Sequence, residues 1–232
     1  MNITGSSNWK FNKDVVPVFD KHISQSVPMY EEIHSLIKDI AAWFLIDGTN
    51  VYDIGTSTGT VLINLTEAYP EKRINYYGLD SSDEMVDVAQ SSFRNHQFVE
   101  IVKADVTDSK VVFKNSSLIT SVLTMQFIPK HKRMDVFQKI YDGLIDGGAF
   151  VLVEKIIGNN ARFNEMWTEL YHELKVKNGL TEKHVLDKAR AIRGVLQPYT
   201  LEENLEALNK VGFKDVDVFF KWSNFVGIVT VK

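Results

Sequence analysis

Short apolar runs alternate with amphipathic segments along most of this chain, and that rhythm predicts a parallel sheet with helical crossovers. Strands are expected at Asn50–Ile54, Ile74–Leu79, Gln97–Val102, Ser117–Leu123 and Ala149–Glu154. Helical spacing covers Ser57–Ala68, Ser82–Arg94 and Lys130–Leu144, the last closed by Asp146-Gly147-Gly148. Strands and helices repeating at this interval imply right-handed connections.

The two ends break the rhythm. Asp14–His22 and Tyr30–Phe44 carry helical spacing, with Ile33, Leu36, Ile37, Ile40 and Ala41 on one face of the second. Pro28 separates them, because it disfavours helix at Val27. Later, Asn160–Lys177 and Thr181–Gly194 read as two successive helices with no strand between. Thr200-Leu201-Glu202-Glu203 is a capping box opening Leu201–Lys210, and strands Lys214–Lys221 and Asn224–Val231 can pair as an antiparallel hairpin. The expectation is one α/β domain over residues 1–232, a Rossmann-like seven-stranded sheet, mostly parallel. A helical arm (1–47) precedes it, and inserted cap helices (157–199) lie over the C-terminal edge of the strands.

Charge narrows the classes of partner. A net charge of −4 argues against non-specific grip on a phosphate backbone, so direct nucleic-acid binding is not expected. With no cysteine, disulfides, thiolate metal sites and cysteine nucleophiles all drop out. No His/carboxylate set has metal-ligand spacing, so no metal is expected. Met1–Asn12 lacks an apolar core, and no run approaches the ~18–20 apolar residues of a membrane span. A soluble, cytoplasmic protein without membrane contact is the expectation.

The candidate chemistry lies where the first strand ends, in Asp53-Ile54-Gly55-Thr56-Ser57-Thr58-Gly59. As a cofactor loop, Gly55 and Gly59 let the backbone approach a ligand, and a helix starting at Ser57 offers free N–H groups. Asp53 beside the loop suits an ammonium group, which fits a ligand with an amino-acid part better than a pyrophosphate. As a nucleophile elbow, Gly55 to Gly59 matches G-x-S-x-G, although such an elbow follows several strands and needs a late histidine. A tight turn without a ligand is the plain alternative. Neither the Walker ending nor G-x-G-x-x-G spacing is present. Asp80, ending the second strand, is either a helix cap or a partner for two ribose hydroxyls. Asp105 after the third strand is either a turn residue or an acceptor for an adenine amine, with Val106 at the ring edge.

The arrangement resembles the class I S-adenosylmethionine-dependent methyltransferase fold. Ser26-Val27-Pro28-x-Tyr30, Val51-Tyr52-Asp53, Gln126-Phe127, Gly147-Gly148, Glu154-Lys155, Asn178-Gly179 and Asn224-Phe225 are similar in order and spacing to the carboxy-S-adenosylmethionine synthase family. Members carboxylate the S-methyl group with prephenate-derived carbon dioxide, supplying a cofactor for tRNA wobble-uridine modification. The resemblance implies S-adenosylmethionine, or its carboxylated form, bound at Tyr30, Gly55, Thr56, Ser57, Asp80, Ser81, Asp105 and Val106. It also implies a homodimer through the arm and cap helices.

Departures bear on the reaction. Val122 stands where the family has an asparagine, Gln25 where it has an arginine, and Ala189 where an arginine holds the transferred carboxylate. Arg190 follows, rotated about 100° on a helix. Arg190 and Arg193 share a face and could serve an anion, His172 is a further substrate-side candidate, and Tyr171, His172, Glu154 and Glu169 are four possible bases. Methyl transfer to a small molecule or nucleic-acid component is the leading expectation, and carboxylation of S-adenosylmethionine the second. A non-catalytic cofactor-binding module remains a third class.

Overall fold

The computed structural model describes residues 19–232, with side chains from Ile23 onward. Seven strands form one sheet: β1 (Asn50–Ile54), β2 (Asn75–Asp80), β3 (Val99–Lys103), β4 (Ser116–Val122), β5 (Leu144–Lys155), β6 (Asp215–Trp222) and β7 (Phe225–Val231). Their order is β3-β2-β1-β4-β5-β7-β6. β1 pairs parallel with β2 and β4, β2 with β3, and β4 with β5, while β7 runs antiparallel between β5 and β6. This is the doubly wound sheet with a closing hairpin that the sequence predicts.

Helices α1 (Phe19–Ser26), α2 (Tyr30–Ala41), α3 (Thr60–Ala68), α4 (Asp83–Ser92), α5 (Lys130–Gly143), α6 (Ala161–Lys177), α7 (Glu182–Ala191) and α8 (Leu201–Val211) surround the sheet. Ile37, Val51, Leu62, Leu65 and Ala89 pack on one face, and Ile119, Phe137, Ile140, Phe150 and Leu208 on the other. β4 is buried along its length apart from its last residue, yet reads Ser-Ser-Leu-Ile-Thr-Ser-Val. Two of its hydroxyls are bonded in place: Thr49 Oγ1 donates to Ser117 Oγ at 2.7 Å, and Thr120 Oγ1 donates to Asp53 Oδ1 at 2.7 Å. Each such bond offsets the desolvation of a polar group in a central strand. The capping box at Thr200 is present with both arms, Glu203 N–H to Thr200 Oγ1 at 3.0 Å and Thr200 N–H to Glu203 Oε2 at 2.7 Å.

Four expectations are corrected. The first helix continues to Ser26, past the expected end at His22, while residues 14–18 of that expected helix, like Trp9 and Phe11, lie outside the described residues. In α2, Leu36 is exposed while His34 is buried beside Ile33, Ile37 and Ala41. Helix α3 begins at Thr60, three residues later than expected, because Ser57 (φ 54°) and Gly59 (φ 89°) adopt left-handed backbone that no helix can contain. β5 begins at Leu144 and runs through Asp146-Gly147-Gly148, with a register shift against β4 rather than a full break.

Candidate active site

The C-terminal ends of β1, β2, β4 and β5, with the loops that follow them and the loop after β3, open on a cavity of about 490 Å³, roofed by α1, α2, α6 and α7. At its floor, Gly55 has φ 71° and its backbone lies against Thr124: a Cβ there would overlap Thr124 Oγ1 and stand 2.5 Å from Cγ2. Only glycine fits. Gly55 and Thr56 donate their N–H groups to Leu79 O at 2.7 and 2.9 Å, which ties the turn to β2.

Asp80 completes that tie. Its two carboxylate oxygens accept from Ser57 N–H and Ser82 N–H, both at 2.9 Å. Burial raises its pKa, and those backbone bonds oppose the rise. Asp53 is more extreme: 2% exposed, it is pushed up to about 6 by burial, against the Thr120 hydrogen bond and with the Asp80 charge adding to the rise. On the far side, Asp105 Oδ1 accepts Thr107 N–H at 2.8 Å, forming an Asx turn. The carbonyl of Val106 accepts Lys139 Nζ at 2.6 Å, which fixes that loop while the Val106 side chain borders the cavity.

Of the residues singled out from sequence, Tyr30, Asp53, Gly55, Thr56, Ser57, Asp80, Ser81, Asp105, Val106 and Val122 all line this one cavity. Gly59 does not; it sits under the turn, where Phe93 leaves no room for a Cβ. Arg190, Arg193 and His172 do not line the cavity. Arg190 is exposed and pairs with Asp187 at 3.7 Å, Arg193 is exposed, and His172 lies in a shallow groove on the outer face of α6 with Glu165, Glu169 and Glu173. Glu154 points under the sheet to Arg133, so of the four possible bases only Tyr171 lines the cavity. Gln25 exchanges hydrogen bonds with Asn178, both at 3.1 Å, fastening α1 to the end of α6.

The cavity instead contains a basic cluster that sequence reading missed. Lys155 (end of β5), Lys175 (α6) and Lys188 (α7) all border it. Lys155 Nζ and Lys175 Nζ stand 4.2 and 4.1 Å from the centre of the Tyr171 ring. Burial lowers Lys155 to about 8. Burial and then the Lys155 charge lower Lys175 to about 7, and burial and then the Lys175 charge do the same to Lys188. The available signal was helical: Tyr171 and Lys175 are four apart, as are Lys188 and Ile192, and each pair shares a face. Arg190 is two residues from Lys188, about 200° round the helix.

A glycine floor shaped by Thr124, an acid at the end of β2, a second acid after β3 and a doubly wound sheet fit an adenosine-bearing ligand at a strand-edge crevice. Ser57 Oγ faces Met85 Sδ at 3.5 Å, and among the described residues no histidine is bonded to it, so the elbow reading lacks its base. The fold is of the class I methyltransferase type, and the chain is an S-adenosylmethionine-dependent transferase.

A methyltransferase-domain family model matches residues 51–148. The carboxy-S-adenosyl-L-methionine synthase of Staphylococcus epidermidis is 44% identical over 97% of this chain and 97% of its own, and that of Methylococcus capsulatus is 43% identical over 96% and 93%. Among solved structures, a putative S-adenosyl-L-methionine-dependent methyltransferase from Methanococcus maripaludis superposes with a TM-score of 0.62 at 20% identity, covering 99% of this chain and 97% of that one. Haemonchus contortus phosphoethanolamine N-methyltransferase 2, in complex with S-adenosyl-L-methionine, gives 0.69 at 15% identity over 99% and 60%. The chain belongs to the carboxy-S-adenosyl-L-methionine synthase family.

Proposed function

We propose that this protein carboxylates S-adenosylmethionine, with prephenate or a similar anionic donor supplying the carboxyl group. The observation that carries this reading is the Lys155, Lys175 and Lys188 cluster in the same cavity as the Gly55 turn and Asp80. Three ammonium groups brought this close repel one another, and an anionic ligand relieves that repulsion. The close relatives' name agrees with it.

In this reading, Asp80 and Asp105 hold the ribose and the base, and Gly55, Thr56 and Ser57 present the turn to the ligand. Tyr30, Ser81, Val106 and Val122 complete the walls. The lysines hold carboxylates of the donor, and of the product, beside the S-methyl carbon. Loss of carbon dioxide aromatises prephenate and expels its ring hydroxyl as hydroxide, which takes a proton from the S-methyl group as water while the methyl carbon bonds the carbon dioxide. Holding both reactants in a site closed by α6 and α7 supplies proximity and excludes water. The product would serve tRNA wobble-uridine modification. A second copy of the chain is the expected partner, and the cytoplasm the expected compartment; among the described residues no helix is long and apolar enough to cross a membrane.

Methyl transfer to an anionic acceptor is the second reading. It draws on Val122 and Ala189, where the resemblance would place an asparagine and an arginine. A lysine is a point charge rather than a planar fork, so it orients a carboxylate less strictly.

Incubation with S-adenosylmethionine and prephenate, read by mass spectrometry, separates the two. Carboxylation adds the mass of one carbon dioxide to the nucleoside. S-adenosylmethionine that binds but returns unchanged overturns the first reading.

A further inference from the structure

One side chain of α2 is at odds with its apolar neighbours. His34 stands one turn after Tyr30, 6% exposed, its ring meeting that of Tyr30 edge-on with centroids 4.5 Å apart. It borders the cavity. Among the described residues, neither Nδ1 nor Nε2 has a hydrogen-bond partner. Buried polar atoms without partners are costly, and native structures keep few of them. Two on one ring, beside a cavity, mark a place where a ligand completes the bonding.

The state of the ring limits what that ligand can be. Burial lowers the imidazole to about 4, so it is neutral at pH 7. Neutral imidazole presents one N–H and one lone pair. The two nitrogens point to different sides of the ring, so one ligand group meets one of them: a carboxylate takes the N–H, or an ammonium takes the lone pair, and an amino-acid end carries both kinds of partner.

Position selects among the parts of the ligand. Asp105 and Asp80 follow β3 and β2, at one end of the order β3-β2-β1-β4-β5. α2 packs against α3, the helix that leaves the glycine turn after β1. His34 therefore reaches the cavity from a helix packed on the one that leaves the glycine turn, and Asp53, beside that turn, suits the ammonium of an amino-acid end. Lys155 and Lys175 line the same cavity as His34, so the amino-acid end and the donor anion share it.

We propose that His34 holds the amino-acid end of S-adenosylmethionine through a ring nitrogen that faces the cavity. The proposal rests on the cofactor assignment above and adds a recognition residue to it. Its consequence is selectivity: His34 distinguishes the intact sulfonium amino acid from nucleosides that have lost it.

Calorimetric titration of the full chain tests this with two ligands, S-adenosylmethionine and 5′-methylthioadenosine, which keeps the nucleoside and lacks the amino acid. His34→Leu is expected to weaken S-adenosylmethionine roughly 10- to 100-fold, the range for hydrogen bonds to charged groups, and to leave 5′-methylthioadenosine within about twofold. His34→Gln, which keeps a donor and an acceptor, should retain S-adenosylmethionine within about tenfold of wild type. Equal losses for both ligands would show that His34 only supports the wall, and unchanged affinity for both would show that it meets no ligand. Either result overturns the proposal. Wild-type protein that binds neither ligand overturns the cofactor assignment itself, and the proposal with it.

Discussion

Asp80 Oδ2 accepts the backbone N–H of Ser57 at 2.9 Å, so the acid that ends β2 also fastens the turn that follows β1. Its other oxygen caps Ser82, so both oxygens are engaged before any ribose arrives. Asp80→Ala is therefore expected to do two things together. It leaves two N–H groups unpaired, costing about 1–3 kcal/mol in denaturant unfolding, and it abolishes measurable S-adenosylmethionine binding. Loss of binding with no loss of stability would mean the fastening is unimportant.

The lysine cluster makes a pH prediction of definite sign. Lys175 and Lys188 are lowered to about 7 and Lys155 to about 8, from an ordinary value of 10.5. Between those values the unfolded chain holds more protons, so this contribution to stability is full above the ordinary lysine value and is lost as pH falls toward 7. Anion binding runs the other way: it favours the ammonium forms, takes up protons and weakens as pH rises from 7 to 9. Urea unfolding at pH 7 and 9 checks the first, and prephenate titration in two buffers of different ionisation heat checks the second. Lys175→Met should flatten both profiles.

Arg133 and Glu154 are fully buried, with Nη1 and Oε2 3.7 Å apart. Arg133 also donates to the carbonyls of Ile128 (3.1 Å) and Gln197, pinning the segment that leaves α7. Arg133→Met is expected to cost about 3–5 kcal/mol, because it strands a buried acid and two carbonyls. Burial pushes Glu154 up to about 7, against the Arg133 charge. Its folded value exceeds the ordinary 4.5, so its contribution is present below 4.5 and lost as pH rises through about 7. Glu154→Gln should remove that slope from a melting series between pH 4.5 and 7.5.

Ser57 should resist fluorophosphonate labelling. Its hydroxyl faces the Met85 thioether, which cannot take its proton. Stoichiometric labelling would restore the hydrolase reading.

The sheet was legible because apolar runs such as those of β5 and β7 recur between helical segments, and β1 falls where the sequence places it; β4, buried with four hydroxyl side chains, carries the weakest such run. The acids Asp53, Asp80 and Asp105 were legible because strand ends converge in any doubly wound sheet. The start of α3 was not, since Ser57 takes left-handed backbone only under the hold of Asp80, which is 23 residues away. The lysines were hidden for a similar reason. Taken singly, Lys155, Lys175 and Lys188 read as solvated charges, and only the folding of α6 and α7 over β5 brings them to one wall. Arginine drew attention as the stronger carboxylate partner, but Arg190 is on the wrong side of its helix.

The glycine-and-acid end of the cavity comes from residues 53–107, and the basic end from Lys155, Lys175 and Lys188. Among the described residues no strand contributes to both, so descendants of one ancestor can keep the first segment intact while the second drifts. Substitutions within 155–196 would then redirect what is transferred, and a lineage could change its chemistry without losing its hold on the nucleoside.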